Sequence, residues 1–312
     1  MKKVLITGGL GNLGSWITSH FSKKEYDVYV LTKNKRQLTE ELSFTLIVAD
    51  IADKENLTAA LREHEFDTII HTASVNDGFV ADYPTLALQV NALGTRNLLE
   101  VIKDKKINHF IYFSTFQVYG AYAGTITEET PTLPKHDYGT THLFAEIYLK
   151  QFHKTHGLPY TIVRLTNSYG CPKDLDSSKW YLILNDLSKS AFDNKEIVLK
   201  SNGKAPRDFI WMGTVAQIVE DLTLLAEATN DTYNISGQNT LEMLDVAYAV
   251  QDAYKEVYNL KIPVKVNTED TTKYPVDLYV NSEKLRSKIS IQDKVVFKEE
   301  AKKIFKLLDI DK

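Results

Sequence analysis

The residues with the clearest chemical reading lie at the start of the chain. The apolar run Val4-Leu5-Ile6-Thr7 leads directly into Gly8-Gly9-Leu10-Gly11-Asn12-Leu13-Gly14, and a helical pattern follows from about Asn12 to Phe21. Glycines in such a loop let the backbone turn tightly and approach a pyrophosphate closely. The phosphates then sit on free N–H groups at the helix N-terminus. Read as Gly9-x-Gly11-x-x-Gly14 between a strand and a helix, the loop is a dinucleotide-binding signal.

A loop of this kind needs a parallel sheet behind it, and the first half of the chain has the pattern for one. Short β-branched runs at Val4–Thr7, Val28–Leu31, Thr45–Val48, Thr68–His71, His109–Phe113 and Tyr160–Leu165 predict six strands. Longer patterns at Lys54–His64, Thr85–Lys103 and Gly139–His156 predict helices between them. In the second of these, Leu86, Val90, Leu93 and Val101 are expected on one face. Near-continuous apolar strands alternating with helices predict an α/β chain with a Rossmann-like, doubly wound parallel sheet. After Gly170 the rhythm breaks into short strands and scattered helices, at Trp180–Phe192, Val215–Glu227, Leu241–Tyr258 and Lys298–Leu308. The expected division is a dinucleotide-binding domain over 1–167 plus roughly 208–236. A smaller α+β substrate-binding lobe then takes 168–207 and 237–312.

Composition excludes several other classes. The chain has 312 residues, 43% hydrophobic and 25% charged, enough to bury a sizeable core. Its net charge of -4 gives no default attraction to nucleic acid. A single cysteine, Cys171, excludes a disulfide framework or a Cys-rich metal site. No apolar run approaches the ~20 residues of a membrane span, and the first run is too short for a signal peptide. A cytoplasmic protein with no metal, no membrane partner and no nucleic-acid partner is expected.

Read as Thr7-Gly8-x-x-Gly11-x-x-Gly14, the loop resembles the short-chain dehydrogenase/reductase superfamily, in its extended, nucleotide-sugar-modifying branch, the NAD-dependent epimerase/dehydratase family. The resemblance extends through Ala49-Asp50-Ile51, His71-Thr72-Ala73-Ser74, Asn91-Ala92-Leu93-Gly94-Thr95, Phe113-Ser114-Thr115-Phe116-Gln117-Val118-Tyr119-Gly120 and Tyr138-Gly139-Thr140-Thr141-His142. Arg164-Leu165-Thr166-Asn167-Ser168-Tyr169-Gly170 and Arg207-Asp208-Phe209-Ile210 continue it. It implies an NAD(P)-dependent reductase or epimerase that moves hydride at a sugar carbon, C4, of a nucleotide-diphospho-sugar.

The same resemblance implies cofactor contacts at Gly8, Gly11, Asn12, Leu13, Gly14, Asp50, Ile51, Thr72, Ala73, Asn91, Tyr138 and His142. An NAD-preferring site places an acidic residue after the second strand. Here Leu31 is followed by Thr32, Lys33, Asn34, Lys35 and Arg36. Lys33 and Arg36 would welcome a 2′-phosphate, so NADP is expected ahead of NAD.

Hydride chemistry in the family runs on a Ser/Thr, a Tyr and a Lys, which places Thr115 on the substrate oxygen and makes Tyr138 the proton carrier. A free Tyr needs its pKa lowered by about 3, or ~4 kcal/mol, to work near neutrality. The family's Lys stands four residues on, on the same helix face. This chain has His142 there, mainly neutral at pH 7, so its cationic form is expected to support Tyr138 and turnover to be slow and pH-dependent. The alternative is a silent NAD(P)-binding module with His142 on the helix surface. Phe116-Gln117 stands where 4,6-dehydratases carry an Asp–Glu pair, which disfavours dehydration.

On the substrate side, Asn167 follows the sixth strand at the sheet's carboxyl edge, where ligands bind in such folds. Arg207 resembles the family's diphosphate-binding arginine, the other reading being an ion pair with Asp208. Trp180, Tyr181 and Trp211 could stack on a base, though core is the expectation for Trp211. The family resemblance of the helices at 85–103 and 139–156 implies a homodimer, with Leu143, Phe144, Ile147, Tyr148 and Phe152 as an apolar stripe.

Overall fold

The computed structural model describes residues 1–76, 82–173, 179–275 and 277–310. Strands follow in chain order as β1 (Lys2–Thr7), β2 (Tyr26–Thr32), β3 (Thr45–Val48), β4 (Thr68–His71), β5 (His109–Thr115), β6 (Thr125–Ile126) and β7 (Tyr160–Leu165). Then come β8 (Asn167–Tyr169), β9 (Ile197–Leu199), β10 (Pro206–Trp211), β11 (Asp231–Ile235), β12 (Thr240–Glu242), β13 (Val264–Val266) and β14 (Tyr279–Val280). The helices are α1 (Asn12–Ser22), α2 (Lys54–Leu61), α3 (Tyr83–Ala87), α4 (Thr95–Ile102), α5 (Asp137–His156), α6 (Ile183–Asn194), α7 (Met212–Leu224), α8 (Met243–Tyr258), α9 (Glu283–Arg286) and α10 (Phe297–Ile310).

Seven strands form one parallel sheet in the order β11-β7-β5-β4-β1-β2-β3. Strand order reverses between β1 and β4, the switch point at which such sheets open a crevice. Both faces are covered. Ile17 and Phe21 of α1 pack with Val215, Val219 and Leu222 of α7 on one face. Leu57 and Leu61 of α2, Leu98 and Leu99 of α4, and Leu149 and Phe152 of α5 pack on the other. A separate cluster from Tyr169 to Leu308 joins α6, α8 and α10 into a smaller lobe. Leu285 and Ile289, although late in the chain, pack into the sheet's own core. No described helix is long and apolar enough to cross a membrane.

Two differences from the sequence pattern have clear causes. The seventh strand, β11, reads Asp-Thr-Tyr-Asn-Ile and lacks an apolar run. Its buried Asn234 is acceptable because Tyr119 Oη donates to Oδ1 at 2.7 Å and Nδ2 donates to the Asn281 carbonyl at 3.1 Å. The helix expected over 85–103 is interrupted by a π-turn, Leu88–Gly94. That extra residue per turn rotates the stripe, so Leu93 is exposed while Asn91, Ala92 and Leu98 are buried. In α5 the buried face carries His142 and Glu146 alongside Ala145, Leu149 and Phe152, while Phe144 and Ile147 remain exposed.

Candidate active site

A cavity of about 880 Å³ opens at the carboxyl ends of β1, β2, β4, β5 and β7. The glycine loop forms one end. Gly8 has φ +67, and a Cβ there would sit 2.7 Å from Ala73 Cα; one at Gly14 would sit 2.1 Å from the Gly8 carbonyl oxygen. Only glycine allows this wrap, which turns the start of α1 toward the cavity. That helix has no side-chain cap and no acidic residue in its first turn, so its N–H groups are open to an anion. Among the described residues, two buried polar atoms at cavity residues have no partner, Asn12 Oδ1 and His142 Nε2. The cradle and these two atoms fit a bound dinucleotide.

At the far end, Thr32, Lys33, Arg36, Asp50 and Ile51 line the cavity. Thr32 Oγ1 donates to the Asn34 carbonyl at 2.9 Å, within its own loop. Lys33 Nζ pairs with Asp50 Oδ2 at 2.7 Å. Burial would raise the Asp50 pKa, but the Lys33 hydrogen bond and the Ala52 N–H hold it lowered. The basic loop is therefore already partly neutralised.

Thr72 and Ala73 reach the cavity because the loop after β4 is tied to β1. Thr72 N and Oγ1 both donate to the Thr7 carbonyl, at 3.1 and 2.7 Å. His71 lies beneath, its Nδ1 2.5 Å from Thr7 Oγ1 and its Nε2 2.9 Å from Thr95 Oγ1. Asn91 corrects an expectation, since it does not line the cavity. It accepts from Val75 N at 2.8 Å and donates to Thr141 Oγ1 at 3.1 Å, which makes it a brace for the loop after β4.

Thr115 ends β5, and its Oγ1 accepts from Gln117 N at 3.2 Å. The first turn of α5 brings Tyr138 against it, and His142 lies one turn on, its ring centroid 4.5 Å from that of Tyr138. Burial pushes the Tyr138 pKa up, and Tyr83 adds to this, while the hydrogen bond to Thr115 opposes it. His142 is only 2% exposed, and burial holds its pKa down at about 3. Two expectations are corrected here. His142 is not on the helix surface, and it has no cationic form near neutral pH, because the low-dielectric interior disfavours the charge.

On the opposite wall, Asn167 Nδ2 donates to the Asp208 carbonyl at 2.9 Å and Arg207 faces the cavity. Arg207 does not pair with Asp208, whose carboxylate accepts from Thr166 Oγ1 at 2.6 Å and from Gly237 N and Asn239 N, both at 3.1 Å. Gln117 Oε1 accepts from Tyr122 Oη at 2.8 Å. His136, which no motif in the sequence marks, caps α5 with Nδ1 and reaches Gln117 with Nε2 at 3.2 Å. Its only sequence signal is its place two residues before Tyr138. Tyr181 lines the cavity, whereas the Trp211 indole packs edge-on against Trp16 at 5.7 Å and donates to Glu300 at 3.2 Å. Burial pushes the Cys171 thiol up to about 12, which keeps it protonated.

Buried histidines make stability pH-dependent. Burial lowers the pKa of His71 to about 3, of His109 to about 4 and of His142 to about 3. The unfolded chain protonates each near about 6.5, so the stability is present above that value and is lost as pH falls. Asp208, raised by burial to about 6, takes up one proton in the folded state and offsets one histidine. The net of about two protons predicts a loss of roughly 3 kcal/mol per pH unit near pH 5. Urea midpoints measured between pH 7 and pH 5 check this, and a flat profile would refute it.

A doubly wound parallel sheet, a glycine cradle at its switch point and a Thr–Tyr pair beside it define a dinucleotide-dependent α/β enzyme fold. Residues 4–236 match the family model described as the NAD dependent epimerase/dehydratase family. The chain belongs to that family of enzymes. It is 27% identical over 286 residues to a dTDP-glucose 4,6-dehydratase of Salmonella typhimurium, covering 82% of this chain and 77% of that one. Among solved structures, a UDP-glucuronic acid 4-epimerase from Bacillus cereus in complex with UDP-glucuronic acid and NAD superposes with a TM-score of 0.82 at 20% identity. The match covers 99% of this chain and 100% of that one. A Thermus thermophilus UDP-glucose 4-epimerase in complex with NAD gives 0.81 at 22% identity, covering 98% and 99%. At these identities the two structures show the fold.

Proposed function

We propose that this protein is a nucleotide-diphospho-sugar epimerase or reductase, acting by hydride transfer at C4 of the sugar. The observation that carries the reading is that Thr115, Tyr138 and His142 line the same cavity as the glycine cradle. A dinucleotide would be held by Gly8, Gly11, Asn12, Leu13 and Gly14 at the phosphates and by Thr72, Ala73, Tyr138 and His142 toward the reacting end. When bound, its nicotinamide supplies the hydride donor or acceptor. Thr115 Oγ1 positions the substrate oxygen. Tyr138 carries the proton at that oxygen; burial keeps it in the phenol form, which donates in the reducing direction. The oxidising half of an epimerisation needs that pKa brought down in the loaded site. Asn167 and Arg207 face it from the substrate wall, the guanidinium suited to paired, charge-assisted bonds with a diphosphate. The phenyl ring of Phe116 and the carboxamide of Gln117 have no titratable proton to exchange, so neither offers the acid and base that removal of water needs.

The cofactor reading is NADP ahead of NAD, by a margin that the Lys33–Asp50 pair reduces. A second reading, a silent dinucleotide-binding module, is favoured by the neutrality of His142. One assay separates them: purified protein is given NADPH or NADH with a 4-keto sugar nucleotide, at low and high salt. Turnover is expected, with the tighter NADPH binding shrinking toward that of NADH as salt screens the exposed lysine. Bound nucleotide with no hydride exchange on any sugar nucleotide would establish the silent module, and equal affinities at low salt would overturn the NADP preference.

A further inference from the structure

Tyr112 is a fully buried tyrosine on β5 whose hydroxyl meets His142 Nδ1 at 2.7 Å. Among the described residues this is the one hydrogen-bond partner of that hydroxyl. A phenol has a single hydrogen, and buried donors find acceptors. If Nδ1 carried the imidazole proton, the Tyr112 hydrogen would be left in the core with no acceptor. Donation from Tyr112 Oη to Nδ1 avoids this and moves the imidazole proton to Nε2. That nitrogen is buried and, among the described residues, without a partner, on a residue that lines the cavity.

We infer that Tyr112 is a positioning residue, which fixes His142 as a neutral Nε2–H donor aimed at a sugar hydroxyl of the bound dinucleotide. This rests on the dinucleotide site proposed above. It gives the pair the binding half of the role expected of a lysine, a directed donor, without the fixed charge. The surroundings agree. His142 is faced by Tyr138 from its own helix and by Tyr112 from β5, with the His71 ring 5.6 Å from Tyr112 on the β4 side. Burial raises the Tyr112 pKa well above its usual value, and Glu146 adds to this, so its hydroxyl keeps its proton.

The test reads the imidazole nitrogens directly. Nitrogen-15 spectra of histidine-labelled, dinucleotide-free protein are recorded at pH values on both sides of about 6.5, with the His142 signal identified by its loss in His142→Gln. The expected result is the neutral Nε2–H tautomer throughout. Tyr112→Phe should shift it toward a mixture of tautomers and weaken NADH and NADPH binding about tenfold, the effect of one lost oriented hydrogen bond. A wild-type Nδ1–H tautomer, a cationic His142 at pH 7, or a Tyr112→Phe spectrum and affinity like wild type would each overturn the inference. If Tyr112→Phe does not fold, the wild-type tautomer decides alone. Wild-type protein that binds neither dinucleotide would overturn the reading of the site itself. Normal binding with the wrong tautomer would overturn only the role of Tyr112.

Discussion

Replacing Arg164 with Met is expected to cost about 3 to 5 kcal/mol of stability, the range for stranding one member of a buried ion pair. Arg164 on β7 donates to Glu146 on α5 through Nε at 3.0 Å and Nη2 at 2.7 Å, both groups being almost fully buried. Ser114 Oγ donates to the same carboxylate at 2.5 Å, and the guanidinium lies 4.8 Å from the Tyr119 ring centroid. Met keeps much of the apolar volume but leaves Glu146 ionised or forced to protonate in the interior. The double variant Glu146→Leu/Arg164→Met removes both charges and should be less destabilised than the Arg164→Met single variant. Denaturant midpoints of the two variants decide the matter. A single variant within about 1 kcal/mol of wild type, or a double variant worse than the single, would show that the pair is not what holds α5 to β5 and β7. The site depends on that attachment, since Glu146 lies one turn after His142 and Ser114 precedes Thr115.

Replacing Tyr138 with Phe should lower turnover by at least the roughly 10²- to 10⁴-fold that a positioned proton carrier contributes. The ring would still pack against His142 at its present 4.5 Å spacing, so dinucleotide affinity should stay within about threefold, less than one hydrogen bond's worth. Single-turnover hydride transfer and nucleotide titration measure the two quantities separately. A variant that keeps more than a tenth of the wild-type rate would remove Tyr138 from the reaction. A variant that loses binding and turnover together would make it a binding group instead.

The pattern of local signals was enough for the architecture. Short β-branched runs separated by helical periods, with a glycine loop after the first, leave few folds in which every strand is buried on both sides. The exception, β11, has polar residues at three of its five positions and no apolar run, and its neighbours make it a strand: Tyr119 and Asn281 satisfy Asn234, and the ladder to β7 satisfies the backbone. The π-turn at Leu88–Gly94 was likewise invisible, because a periodic pattern carries no mark of an inserted residue.

For the site, the sequence determined which groups are available, and the tertiary structure decided their state. The spacing of Tyr138 and His142 places them on one helix face wherever that helix lies. Whether His142 is charged depends on what surrounds it, and burial beneath Tyr138 and against Tyr112 makes it neutral. Lys33 and Arg36 are cations in any fold, but the turn that brings Asp50 within 2.7 Å of Lys33 sets how much of that charge remains for a ligand. Residue identity fixes the chemistry a side chain can perform. Dielectric and partners, which come from segments distant in the chain, fix which protonation state and which hydrogen bond it brings to the cavity.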